Sequence, residues 1–113
     1  GKPDKISQLS RIEIDTLKHF NQFLFEMDQI KEEGGTLLDH TTVVMGSNFG
    51  DSSNHTCNNL PMIVAGDGYK HQTHTVLEKQ TPLCNLYLEL LHKHNIDAAK
   101  FGSSEGNMKL LKG

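Results

Sequence analysis

Asp51 and His55 are the residues whose types and spacing are best suited to chemistry. An Asp-x-x-x-His spacing on a helical turn directs a carboxylate oxygen and an imidazole nitrogen toward one ion. Zinc accepts both kinds of ligand at about 2.0–2.2 Å. The spacing thus favours a divalent-metal site at Asp51 and His55, with His74, His71 or Cys57 as the third ligand. The alternative is that Asp51 caps a turn while His55 bonds the backbone.

Hydroxyl and thiol groups surround this pair, but none has the setting of an activated nucleophile. Each needs a neighbouring base or metal, and none lies in a Gly-x-Ser-x-Gly turn. These groups belong to Ser47, Ser52, Ser53, Thr56 and Cys57. The segment Gly66-Asp67-Gly68 lacks the third glycine of a phosphate-binding fingerprint and opens no helix, so only a turn is predicted there. The catalytic residues are therefore left unassigned.

The composition argues against several classes of protein. The 113 residues carry a net charge of -3 with a single arginine, which leaves no basic stripe for nucleic-acid phosphates or an anionic membrane. Apolar runs are far shorter than the roughly 20 residues that cross a bilayer. Cys57 and Cys84 are too few for a disulfide framework or a thiolate zinc cage, although they are enough for one bridge. We expect one soluble domain with no nucleic-acid or membrane partner.

A long amphipathic helix is predicted to precede the candidate site. No proline or glycine interrupts residues 4–33, and apolar residues recur there at three- and four-residue steps. Asp4 is the predicted N-cap and Gly34-Gly35 the predicted stop. Such a helix is about 40 Å long, whereas a compact domain of this size has a radius of gyration of about 13 Å. We therefore expect a break near Ser10, or packing of the helix on protein absent from this chain.

Two short strands are predicted to flank the candidate loop. Residues 41–45 are rich in β-branched side chains and are expected to be buried on both faces. Residues 60–65 form the second strand, with Pro61 at its opening. The polar connection between them, residues 46–59, is long for a structureless loop, which favours a binding role.

A second amphipathic helix and a closing loop complete the predicted α/β arrangement. Thr81 is the predicted cap, Pro82 the first helical residue, and Glu89 and Lys93 an i,i+4 ion pair. Its predicted apolar face consists of Leu83, Leu86, Tyr87, Leu90 and Leu91. Residues 96–113 form the loop. The order helix, strand, loop, strand, helix predicts stacked layers in which ligands bind beyond the carboxyl ends of the strands, where the candidate loop begins.

Six short motifs, in order, resemble one bacterial protein family. The motifs are Leu37-Leu38-Asp39-His40-Thr41, Gly46-Ser47, Asp51-x-x-x-His55, Leu60-Pro61 with Ala65-Gly66, Thr81-Pro82-Leu83-x-Asn85-Leu86 and Phe101-Gly102-x-Ser104-x-Gly106. Together they resemble the C-terminal part of the bacterial domain-of-unknown-function family fifteen-fifty-two. The resemblance begins near Lys5 and covers essentially the whole chain.

The resemblance implies a larger, exported protein related to the sulfatase and alkaline-phosphatase superfamily. Residues 1–113 would then be a single domain or the C-terminal portion of an alkaline-phosphatase-like α/β/α layered fold, whose missing N-terminal part is its partner. Enzymes of that superfamily cleave sulfate or phosphate esters, here of a small molecule or a polysaccharide, with a bound divalent metal such as zinc or calcium. Export would permit a bridge between Cys57 and Cys84.

One departure from the superfamily pattern opens alternatives to hydrolysis. The superfamily carries Thr-Ser-Asp-His-Gly after the corresponding strand, whereas this chain has Asn48 and Phe49 in place of the metal-binding Asp and His. Asp51, His55 and His74 match the family's own pattern and would serve as ligands instead. The alternatives are a non-catalytic binding or scaffold domain that kept the fold and lost the ligands, and a complete small protein that shares the fold only.

Overall fold

Two helices and two small antiparallel sheets form the described part of the chain. The computed structural model describes residues 2–70, 74–77 and 80–111. The elements are α1 (Pro3–Gln29), β1 (Lys31–Glu32), β2 (Gly35–Thr36), β3 (Thr42–Gly46), β4 (Met62–Gly66) and α2 (Leu83–Lys93). The mixed α/β content is confirmed, but no layered fold is seen among these residues. Neither helix is long and apolar enough to cross a membrane.

Helix α1 is continuous over 27 residues, and its N-cap lies two residues earlier than predicted. Lys2 is its N-cap and Pro3 its first residue, because proline has no N–H to leave unpaired and its fixed φ suits the first turn. Asp4 is therefore not the cap but lies in the first turn, where its charge suits the helix dipole. The break expected near Ser10 does not occur.

The glycine pair belongs to a hairpin and does not end the helix: Gly34 lies in the turn, and Gly35 begins β2. The predicted helix runs to Glu33, but Ile30 adopts an extended conformation, and β1 pairs with β2 with Lys31 opposite Thr36. Gly34 in the turn has a φ of 86°, a left-handed conformation that glycine adopts at little cost. Strand β2 returns the chain to α1, and Met27 is buried at this end of the helix.

Strands β3 and β4 pair in the antiparallel direction, with Thr42 opposite Gly66 and Gly46 opposite Met62. Pro61 lies immediately before β4, as predicted. The strands are half-exposed, so the expectation of burial on both faces is wrong for β3. Because the end of β3 lies beside the start of β4, the argument from aligned carboxyl ends does not apply, and the candidate loop simply connects two neighbouring strands.

Helix α2 buries Leu86 of the predicted apolar face and leaves the rest of that face half-buried, while the other buried residues lie outside it. It begins at Leu83 with Pro82 as its N-cap, and it buries Leu86 and Leu88 together with two polar side chains. The reason is the C-terminal segment: Asn85 Oδ1 accepts the backbone N–H of Glu105 at 2.8 Å, and Glu89 Oε1 accepts that of Leu111 at 2.7 Å. Residues 96–111 contain no helix or strand and follow α2 as the predicted closing loop.

The hydrophobic core is small for a chain of this length. Its buried apolar side chains are Met27, Tyr69, Leu86 and Leu88, and no large described side chain is fully buried. The accessible surface is 8829 Å², whereas a folded monomer of 12.6 kDa exposes about 6,200 Å². The radius of gyration is 16.4 Å against an expected value of about 13 Å. The chain therefore exposes far more surface than a compact domain does.

Candidate functional site

The candidate loop closes on itself at residues 50–56. Asp51 and Thr56 form an isolated antiparallel bridge, in which the Thr56 N–H donates to the Asp51 carbonyl at 3.1 Å. The Gly50 N–H donates to the Thr56 carbonyl at 2.9 Å. A side chain at Gly50 would overlap the carbonyl of Asn58, so this closure requires glycine. The loop thus has defined local structure rather than the irregular course that its composition indicates.

The Asp51 carboxylate is bonded within this loop. One oxygen accepts the N–H groups of Ser53 at 2.8 Å and Asn54 at 3.2 Å, and the other accepts the Asn54 side-chain amide at 2.6 Å. These bonds, above all the one from the Asn54 side chain, lower the pKa of Asp51 because they favour the ionised form. Asp51 therefore has the geometry of a turn cap, the alternative to a metal ligand.

His55 lies against Phe49 on the outside of the loop. Their ring centroids are 5.1 Å apart, and His55 has a left-handed φ of 52°. Such a conformation is uncommon for a residue with a side chain and costs free energy. Phe49 therefore packs against one of the predicted metal ligands.

The described residues do not gather the predicted ligands. His74 is exposed outside the helices and strands, and His71 lies outside the described residues. Over residues 2–70, 74–77 and 80–111, no group of three or more His, Cys, Asp or Glu side chains is placed to hold a metal ion. Cys57 and Cys84 are both free thiols. The zinc or calcium site at Asp51, His55 and His74 therefore stays a prediction.

A polar cluster that the sequence did not reveal joins α2 to the larger sheet. Thr42 donates to Asp67 at 2.9 Å, and the Thr42 hydroxyl lies 3.1 Å from His94 Nε2 and 3.5 Å from the Tyr69 hydroxyl. The same His94 nitrogen lies 3.7 Å from the Asp67 carboxylate. Lys93 lies over the Tyr69 ring at 5.0 Å, and no ion pair joins it to Glu89 among the described residues. The predicted pair of Lys93 with Glu89 is therefore replaced by a cation–π contact.

This cluster has the geometry of a structural contact between elements, and not that of a catalytic triad. The carboxylate and the hydroxyl share one imidazole nitrogen, whereas a triad places them on opposite nitrogens. Tyr69 is buried, and this burial raises the pKa of its hydroxyl. No sequence pattern could have grouped these residues, because Thr42 and His94 are 52 positions apart and only the folded chain brings them together.

The most extensive unusual surface is the apolar face of α1. We define this face as Ile6, Leu9, Ile12, Leu17, Phe20, Phe23, Leu24 and Met27, which follow helical spacing. Only Met27 is buried, next to the β1–β2 hairpin, and Phe20 and Leu24 are half-buried. Ile6 is 58% exposed and Ile12 is 64% exposed. Most of the face is thus open to solvent.

Comparisons with protein-family models, curated protein sequences and solved structures found no significant match. The geometry is therefore the basis for a functional argument. Two open depressions on the surface of the described residues, of about 370 and 380 Å³, contain neither Asp51 nor His55. The apolar face of α1 is the surface that most needs a functional explanation.

Proposed function

We propose that this chain is a binding or scaffold element whose apolar α1 face docks onto a complementary protein surface. The observation that carries the proposal is the exposure of this face from Ile6 to Phe23 on a continuous helix. Soluble monomers rarely expose contiguous apolar patches of more than a few hundred Å². Glu13 and Thr16 interrupt this face, but the exposed aliphatic and aromatic side chains on either side of them support a site that another protein surface covers.

The amount of exposed surface supports a permanent interface rather than a passing encounter. The chain exposes roughly 2,600 Å² more than a compact monomer of its mass. A standard interface takes only about 800 Å² from each partner, and permanent interfaces take more. In addition, an isolated helix gains most of its stability from the packing of its apolar face.

The family resemblance supplies an identity for the covering surface. We infer that it belongs to the remainder of an exported, alkaline-phosphatase-like protein, the N-terminal part that the resemblance implies. In that arrangement α1 would pack against the central layers of the larger protein. The small core and the long helix both support this inference, since each is what a portion of a larger fold exposes when it stands alone.

Metal-dependent hydrolysis of sulfate or phosphate esters is the second candidate. It is supported by one observation: Asp51, whose pKa is lowered, and His55 lie exposed on the same loop. The donor types suit zinc, but the described residues bind both Asp51 oxygens within the loop and offer no third ligand nearby. The present arrangement therefore does not fit a metal, and no catalytic step follows from it.

Substitutions on the apolar face test the docking proposal. At a dilution where the chain is monomeric, we expect Leu9→Glu and Ile12→Glu to change the free energy of unfolding by no more than about 0.5 kcal/mol, because both side chains are exposed. Leu88→Ala, in the core, should cost about 2–5 kcal/mol. Urea denaturation measures these values, and binding of a hydrophobic dye should fall in the two glutamate variants. A loss of several kcal/mol in Leu9→Glu would show that the face is internal core, and would refute the proposal.

A further inference from the structure

The charges of α1 are divided between its two ends. In Lys2 and the first nine helical residues, the basic residues exceed the acidic ones, and in the remainder the acidic residues exceed the basic ones. The first group is Lys2, Asp4, Lys5 and Arg11, and the second is Glu13, Asp15, Lys18, Glu26 and Asp28. An antiparallel pair of such helices places each basic end beside an acidic end, whereas a parallel pair places like charges together.

The apolar face also has the spacing of a helix-pairing seam. Ile6, Glu13 and Phe20 are seven residues apart, as are Leu9, Thr16 and Phe23. In an antiparallel pair that overlaps along the helix, Ile6 of one copy lies opposite Phe23 of the other, and Leu9 opposite Phe20. The same register places Glu13 opposite Thr16, so the two polar positions of the seam meet each other and not an apolar side chain.

We propose that two copies of this chain pair through α1 in antiparallel orientation, with Lys5 of each copy beside Glu26 of the other. Lys5 and Glu26 are three heptads apart and lie on the same edge of the seam, which is where antiparallel helices exchange charges. Both are exposed, and their described hydrogen bonds are with Gln8 and Gln22 on the same helix. A two-fold axis makes each contact occur twice.

A second copy would cover part of the excess exposed surface of the chain. The excess of roughly 2,600 Å² is larger than the roughly 800 Å² that each partner contributes to a stable interface. Met27 is buried near the hairpin and Phe20 is half-buried, whereas the other apolar residues of the face from Ile6 to Phe23 are exposed to a partner helix. This inference rests on the proposed function in taking the apolar α1 face as a binding surface. In the 113-residue chain it assigns that face to a second copy instead of to the remainder of a larger protein.

Charge reversal tests the pairing in the 113-residue protein. Sedimentation equilibrium should show a dimer for the unchanged chain. Lys5→Glu and Glu26→Lys alone should each weaken dimerisation by about tenfold, because each places like charges together at both symmetric contacts. An equal mixture of the two variants should restore the affinity, since every contact in the mixed dimer is again between opposite charges. Circular dichroism verifies that each variant folds.

Seam substitutions separate this inference from the docking proposal. Leu9→Asp should abolish the dimer, while Ser7→Asp, two positions away at an exposed position outside the seam, should leave it intact. A monomeric unchanged chain, or reversed variants that dimerise as well as the original, would overturn the antiparallel pairing. If Leu9→Asp still prevents association in the second case, the docking surface stands and only the register is refuted. Unfolding of the Leu9→Glu variant, tested separately, is the result that removes the docking surface itself.

Discussion

At the scale of single residues, a sequence that forms a hydrogen-bonded turn can have the same residue spacing as a metal site. Asp51 and His55 have the spacing of two ligands, yet Asp51 accepts three hydrogen bonds from Ser53 and Asn54. The serine- and asparagine-rich composition indicates such a turn, because these residues bond the neighbouring backbone. The contact of His55 with Phe49 could not be predicted from spacing, since it depends on the left-handed conformation of His55.

Metal titration decides between the two interpretations of this loop. If Asp51, His55 and His74 bind zinc, calorimetric titration of the chain with zinc chloride should show one site, weakened at least tenfold in His55→Ala and in Asp51→Asn. His19→Ala, on the outside of α1, is the matched control and should leave binding unchanged. Equal heats in the unchanged chain and in both loop variants would reject the predicted site.

The acid side of the pH range should expose the role of Asp51. Its folded-state pKa lies below the ordinary value of 3.8, so its stabilising effect is complete above that value and is lost as the pH falls through the lower, folded pKa. We expect the NMR amide shifts of Ser53 and Asn54 to titrate together in this range. In Asp51→Asn this joint titration should disappear, whereas Asp97→Asn, on the exposed chain after α2, should preserve it. Amide shifts that follow global unfolding instead would contradict this assignment.

At the scale of elements, the sequence predicts the positions of the helices better than it predicts their packing partners. The spacing of apolar residues predicts α1 and α2. The missing N–H of proline predicts Pro61 at the opening of the second strand. The sequence could not show that α2 would bury Asn85 and Glu89, because the partner of that face is an irregular segment about 20 residues further along the chain. Nor could it show the antiparallel pairing of β3 and β4, since short β-branched runs occur in either kind of sheet.

Asn85 is the residue that should hold the closing segment to α2. Asn85→Ala removes the acceptor for the Glu105 N–H and should destabilise the chain by about 1–3 kcal/mol in urea denaturation, because a part-buried donor is left unpaired. Asn58→Ala, at an exposed loop position, should change stability by less than about 0.5 kcal/mol. Equal effects of the two substitutions would show that the Asn85 bond contributes nothing.

For the whole molecule, the mismatch between helix length and domain size was visible in the sequence. A helix of about 40 Å cannot be covered by so short a chain, and the structure leaves Ile6, Ile12 and Phe23 exposed accordingly. The sequence offered two resolutions, a break near Ser10 or packing on absent protein. The continuous helix removes the first. In both the docking and the pairing proposals, the surface that covers this face lies outside a single copy of the chain.

The β1–β2 hairpin holds α1 at its last turns only, where Met27 is buried. Helix α1 is therefore attached at its C-terminal end, next to the hairpin, and its N-terminal end at Pro3 lies roughly 35 Å away. A small change in the angle of the helix at the hairpin would therefore produce a large displacement of its N-terminal end. A docking partner would contact the N-terminal end of the helix first. Contacts would then form turn by turn toward the hairpin and would stiffen the helix as they form.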